Sequence, residues 1–212
     1  MKVDEAYENW SQTYDTDQNF TRDLDEEVTS EIFKNQRFDS ILEIGCGTGK
    51  NTRLFSEIGV AVQAIDFSSA MIEQARRKAT SDNVAFTVAD LTRAWPIADA
   101  SIDLISCNLV LEHISDLVPV FAEAARVLVH HGRLFVSELH PFRQYQGVRA
   151  RFERDSATIK IPAFVHHISD FFNAAQEARL SLVALNEWWH EEDRNKPPRL
   201  ISLLFTKSDV VS

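Results

Sequence analysis

Apolar and polar positions follow two rhythms along these 212 residues. From 3 to 36 the chain reads as helical in two pieces, broken near Tyr14-Asp15-Thr16-Asp17; Leu24, Val28, Ile32 and Phe33 give the second piece an apolar stripe at helical spacing. Downstream, strand-length apolar runs at 40–45, 60–66, 84–89, 102–107 and 132–139 alternate with helical segments at 50–58, 69–80 and 117–129. Such alternation predicts βα units and a parallel sheet covered by helices on both faces. Residues 140–164 break the pattern. A helix is expected over Phe171–Ala178, starting at Ser169 or Asp170. Two strands follow, Leu180–Trp189 and Arg199–Lys207, with Asn195-Lys-Pro-Pro in the turn between them. The expectation is one α/β domain: a doubly wound, seven-stranded, mostly parallel sheet closed by a C-terminal antiparallel hairpin.

The most informative stretch is Ile41-Leu-Glu-Ile-Gly-Cys-Gly-Thr-Gly-Lys-Asn-Thr52, an apolar run entering a helical segment through Gly45, Gly47 and Gly49. A turn of this kind brings bare backbone close to a ligand, beside the free N–H groups of a helix start. It is not a P-loop: three residues rather than four separate Gly45 from Gly49-Lys50, and Asn51 stands where Ser or Thr belongs. The dinucleotide fingerprint fails too, because the third glycine comes one residue early. Glu43, just before the turn, would repel phosphate and suits a cationic or hydroxyl-rich ligand. A glycine-rich turn without a ligand is the plain alternative. Against it, the next strands end in Asp66, Asp90-Leu91 and Asn108, on the sheet edge where open α/β sheets bind ligands.

These pieces together resemble the class I S-adenosylmethionine (SAM)-dependent methyltransferases of the small-molecule type, such as quinone-biosynthesis and malonyl-carrier methyltransferases. The matching segments are Glu43-Ile-Gly-Cys-Gly-Thr-Gly49, Ala64-Ile-Asp-Phe-Ser68 with Met71, Val88-Ala-Asp-Leu91, Cys107-Asn-Leu-Val-Leu-Glu-His113, and Arg126-Val-Leu with Gly132. The resemblance implies a Rossmann-like fold and SAM as cofactor, leaving S-adenosylhomocysteine. It implies that Gly45, Cys46, Gly47, Thr48 and Gly49 approach the methionine part and ribose, with Glu43 helping to fix the site. Asp66 then accepts from the ribose hydroxyls. Phe67 and Met71 lie beside the adenine, Asp90 accepts from its amino group and Leu91 covers the ring. Asn108 and Leu109 lie near the methionine end. Glu112 and His113 fall in the following helix, with His113 read as packed rather than catalytic.

Charge and composition narrow the classes. The net charge is −10, and residues 1–31 carry ten acids against two bases. Such a chain repels nucleic acid, which demands basic stripes; the acidic run also reads as a solvated helix face. No apolar stretch is long enough to span a membrane, and the start, Met-Lys-Val-Asp-Glu, lacks the apolar run of a secretory signal. A cytoplasmic protein with reduced Cys46 and Cys107 is expected. No acid–His or Cys–His spacing suggests a metal.

The resemblance puts the acceptor between an N-terminal helical lid (1–36) and a segment after the fifth strand (140–170), flanking the SAM-binding core (37–139) and followed by the C-terminal helix and hairpin (171–212). The first offers Tyr7, Trp10, Tyr14 and Arg22. The second offers His140, Phe142, Arg143, Tyr145, Arg149, Arg151, His166 and His167. Tyr7, Tyr14, Arg22, Arg143, Tyr145 and His166 are the expected acceptor-binding residues. Four arginines between 140 and 155 suggest an anionic acceptor, or pairing with the acidic lid. His140 is the candidate general base, or else a residue that holds the lid or caps the strand. An active small-molecule methyltransferase and a SAM-binding sensor or partner protein without turnover both remain open. A nicotinamide-dependent oxidoreductase fits the glycine spacing and Glu43 less well.

Overall fold

A computed structural model describes residues 3–11, 13–79, 81–154 and 157–208. Five strands, β1 (Phe38–Ile44), β2 (Gly59–Asp66), β3 (Val84–Val88), β4 (Ile102–Asn108) and β5 (Leu128–Leu139), pair in parallel. The C-terminal β8 (Leu180–Trp188) and β9 (Leu200–Lys207) add antiparallel, giving the order β3-β2-β1-β4-β5-β9-β8. The order reverses between β1 and β4, so their carboxyl ends diverge and leave a crevice.

Successive residues of a strand face opposite sides, and this sheet is apolar on both. Ile41, Val62, Leu104 and Phe135 meet Leu24, Val28 and Phe33 of α2 (Phe20–Phe33) and Phe55 and Ile58 of α3 (Thr52–Ile58). Leu42, Ile44, Ile105, Leu134, Val136 and Phe205 meet Phe121, Ala124 and Val127 of α5 (Val118–Val127) and Phe171, Ala174 and Ala175 of α7 (Ile168–Glu177). Each fully buried Leu, Ile or Phe stabilises the fold by about 1.5–3 kcal/mol. A third apolar group joins Ala6 and Trp10 of α1 (Val3–Trp10) to Ile161. The N-terminal segment therefore packs over the carboxyl edge of the sheet, with α1 touching α4 (Ser69–Lys78).

Several boundaries differ from expectation for local reasons. β5 begins at Leu128 rather than 132, and its pairing with β4 shifts register between Ile102 and Leu104. His131, at φ 61°, absorbs that bulge. Helix α7 starts at Ile168, because His167 and Asp170 form a capping box there. The irregular stretch holds α6 (Pro141–Tyr145) and a separate hairpin of β6 (Arg151–Arg154) and β7 (Ala157–Lys160). Glu112 and His113 belong to a single 3-10 turn, Leu111–His113, ahead of α5.

Candidate active site

The crevice at the switch point opens into a cleft of about 410 Å3, lined by Gly45, Gly47, Asp66, Phe67, Met71, Asp90, Leu91, Asn108 and Leu109, and roofed by Val3, Tyr7 and Tyr14. Nine expected cofactor residues thus converge on one wall although they come from four strand ends. The volume falls in the range for small-molecule sites.

Its floor is the glycine turn. Gly45 (φ 70°) and Gly47 (φ 53°) both occupy the left-handed region. A Cβ on Gly45 would lie 2.1 Å from Val110, whereas one on Gly47 meets no protein atom within 4 Å and points into open space. Asp66 holds the turn: its Oδ2 accepts from the Gly47 N–H (2.9 Å) and its Oδ1 from the Ser68 N–H (2.8 Å). Burial raises its pKa to about 6 against these hydrogen bonds. Lone pairs left on both oxygens can accept from a ligand's hydroxyls.

Asn108 is fixed by three contacts. Its amide donates to Asp25 and to Thr29 (2.9 Å each) and accepts from the Ser106 hydroxyl (2.5 Å). The next residue, Leu109, sits at φ 58°, an unfavourable angle for a branched side chain. Asp90 lies exposed, its carboxylate held by the Thr92 N–H and hydroxyl and kept below its usual pKa.

Four expected cofactor residues do not line this cleft. Glu43 lies buried beneath the turn, bonded by the Thr52 hydroxyl, and burial pushes its pKa to about 8. Burial thus favours its neutral form, against the bare carboxylate expected from the sequence. Cys46 is buried and free, its thiol pushed up by burial. Thr48 donates to Asp15 (2.7 Å), tying the turn to the N-terminal segment, and Gly49 faces away against Ala75.

A second cleft of about 590 Å3 adjoins the first, lined among others by Gln18, Arg22, Glu112, Gln146, Arg149 and Arg199. Tyr7, Tyr14 and Leu109 line both clefts. Arg22 stacks over Tyr14 (4.0 Å) and Trp10 (5.2 Å) and donates to the carbonyls of Tyr14 and Asp17. Arg199 forks onto Asp193 (2.6 and 2.7 Å). Arg149 is exposed and, among the described residues, meets no carboxylate at ion-pair distance. The side chain of Arg151 lies outside the described residues.

Three expected acceptor residues and the candidate base have structural employment elsewhere. Arg143 pairs with buried Asp193 (2.9 Å) and donates to the carbonyls of Pro197 and Pro198, pinning the C-terminal hairpin. His166 is buried against the carbonyls of Leu111 and Ile114 (3.0 and 2.8 Å). Tyr145 is exposed, its hydroxyl on His167 (2.7 Å). His140 caps α6: the Phe142 N–H donates to its Nδ1 (3.1 Å), leaving Nε2–H for Glu187 (2.9 Å). Both His140 nitrogens are engaged and it lines neither cleft, an arrangement that matches the capping alternative, while the polar atoms of Arg143 and His166 meet backbone and acids of the fold.

The sequence reading took His113 as packed and did not place it at the cleft. It lines the first cleft, accepts through Nε2 from the Tyr7 hydroxyl (2.8 Å), and its Nδ1 meets the Pro162 carbonyl (3.0 Å). No local signal could reveal this, since Tyr7 lies 106 residues away. Among the described residues, no group of three or more potential metal ligands occurs and no helix is long and apolar enough to cross a membrane.

Residues 42–136 match the family model described as a methyltransferase domain. The chain is 33% identical over 185 residues to a malonyl-[acyl-carrier protein] O-methyltransferase of Hahella chejuensis, covering 85% of this chain and 62% of that relative. It is 37% identical over 109 residues to a demethylmenaquinone methyltransferase of Tropheryma whipplei, covering 50% of this chain and 44% of that one. The chain therefore spans less than two thirds of the length of either relative. Among solved structures, an S-adenosylmethionine-dependent methyltransferase from Mesorhizobium loti shares the fold at TM-score 0.72 and 16% identity, covering 88% of this chain and 99% of that one.

Proposed function

We propose that the protein is a SAM-dependent methyltransferase that transfers a methyl group from SAM to a small, anionic acceptor, a reading supported by the match of residues 42–136 to a methyltransferase-domain model. The observation that carries this reading is the pair of clefts sharing Tyr7, Tyr14 and Leu109 as a common wall. Methyl transfer needs two molecules held end to end in a dry site, and little covalent chemistry from the protein.

The first cleft fits SAM on its own chemistry. Gly47 leaves space that a Cβ would fill, Asp66 offers acceptor lone pairs for ribose hydroxyls, and Phe67, Met71 and Leu91 give an apolar slot for a flat base. When bound there, SAM supplies an electrophilic methyl group on a positively charged sulfur. Buried Asp25, Asp66, Glu112 and Glu138 lie around the same edge, and a cationic ligand bound there would draw them toward their ionised forms.

The second cleft is the acceptor site in this reading. Arg149, unpaired among the described residues, suits a carboxylate or phosphate on the acceptor. Residues 1–36 and 140–170 act as the lid: Glu8 reaches Ser68 (3.2 Å), and Asp15 reaches Thr48 and Lys78, so the N-terminal segment straps the cofactor cleft shut. Such closure excludes water. The test is SAM turnover with a deproteinised small-molecule extract. S-adenosylhomocysteine above the rate without extract supports an enzyme. Tight SAM binding without any product supports the sensor reading instead.

A further inference from the structure

We propose that Tyr7 and His113 form a proton-accepting relay at the junction of the two clefts, which assigns the acceptor to compounds whose nucleophilic oxygen carries a proton, such as a phenol or enol. This inference rests on the methyl-transfer reading above.

The hydrogen-bond directions follow from the partners. The Pro162 carbonyl can only accept, so His113 Nδ1 carries the ring proton. Nε2 of the neutral ring is then an acceptor, and the Tyr7 hydroxyl donates to it across 2.8 Å. The Tyr7 oxygen keeps lone pairs, and this residue borders both clefts. Rings fix the geometry: Phe67 and His113 stand edge-on to Tyr7 at 5.8 and 5.3 Å, and Trp10 and Tyr14 lie at 5.8 and 6.3 Å.

The charges facing the pair come from several elements. Glu112 Oε1, on the same turn as His113, lies 3.7 Å from Nε2, and its Oε2 has no hydrogen-bond partner among the described residues. Asp66 from β2, Glu138 from β5 and Tyr14 act on Tyr7, and Arg149 acts on Glu112. Burial holds the Tyr7 phenol protonated and the His113 ring neutral, the states in which the relay starts.

In the step, the acceptor oxygen uses a lone pair to form a bond to the methyl carbon, and the carbon–sulfur pair returns to sulfur. The acceptor's proton passes to the Tyr7 oxygen as the Tyr7 proton passes to His113 Nε2. The positive charge lost by sulfur thus reappears on the imidazolium, beside Glu112, and leaves to water after release.

The test uses the full chain with the same small-molecule extract. Tyr7→Phe keeps the ring contacts and removes only the hydroxyl; His113→Gln removes the proton acceptor. Each is expected to lower kcat by about 100-fold or more, with SAM affinity by calorimetry within about threefold of the parent. The double variant should be no slower than the slower single one, because the two residues act as one unit. Raising the pH should restore the variants as the acceptor ionises without help, while the parent stays flat between pH 7 and 9. A Tyr7→Phe variant with parent-like kcat, or variants whose pH profile parallels the parent's, overturns the relay alone. A parent that binds SAM but forms no product with the extract overturns the methyl-transfer reading and the relay with it.

Discussion

Asp66 and Gly47 show how two residues of opposite character make one site. Asp66 spends one lone pair of each oxygen on the backbone of the turn and presents the rest to the cleft. Asp66→Ala should weaken SAM binding by about 2 kcal/mol, the scale for hydrogen bonds to a charged group. Calorimetry reads this as a loss of roughly thirtyfold in Kd. Unchanged affinity would remove Asp66 from the ligand's contacts. Gly47 is a different case. Its φ of 53° strains any other residue, yet a Cβ there meets open cleft. Gly47→Val should cost the fold about 1–2 kcal/mol and abolish SAM binding, because the side chain would occupy the ligand's space. A melting curve with a small downward shift beside a flat titration is the expected pair of results.

At the scale of elements, the alternation from β1 to β5 was legible because parallel strands covered on both faces must be apolar throughout. Asp66, Asp90 and Asn108 were legible for a related reason: each ends such a run, and the carboxyl edge is where a ligand sits. The lid was less legible. α6 spans only Pro141–Tyr145, and the β6–β7 hairpin is polar, so neither carries a periodic signal. Which of the open readings His140, Arg143 and His166 take was not legible, because their partners, Glu187, Asp193 and the carbonyls of Leu111 and Ile114, are remote in sequence. The N-terminal segment gives a prediction on this scale. It roofs the cofactor cleft with Val3, Tyr7 and Tyr14 but contributes little to the sheet's two cores. Deleting residues 1–18 should leave circular dichroism of a folded α/β protein, weaken SAM binding only in part and eliminate turnover. A folded truncation with full turnover would place the acceptor site elsewhere.

Across the whole molecule, buried acids set the pH response. Burial raises Glu43 and Glu138 to about 8 and Glu112 to about 7, from an ordinary value near 4.5. The folded protein therefore binds more protons than the unfolded chain between pH 4.5 and 8, and such groups lose their stabilising contribution as pH rises. His113 and His140 are shifted down and act oppositely, but only below about pH 6.5. Above that, Tm of the ligand-free protein should fall steadily to pH 8.5; a rising Tm would mean the acids are ionised and solvated. The same acids bear on the cofactor, because a bound cation favours their ionised form. SAM, with its charged sulfur, should gain affinity with pH and release protons on binding, whereas neutral-sulfur S-adenosylhomocysteine should do so less. The most direct test of the account is a calorimetric titration of the full chain with SAM, with NAD as control. The account predicts one SAM site per chain, proton release at pH 7 measured across buffers of different ionisation enthalpy, loss of binding in Gly47→Val, and no heat with NAD. Absence of SAM binding by the folded parent protein would contradict it.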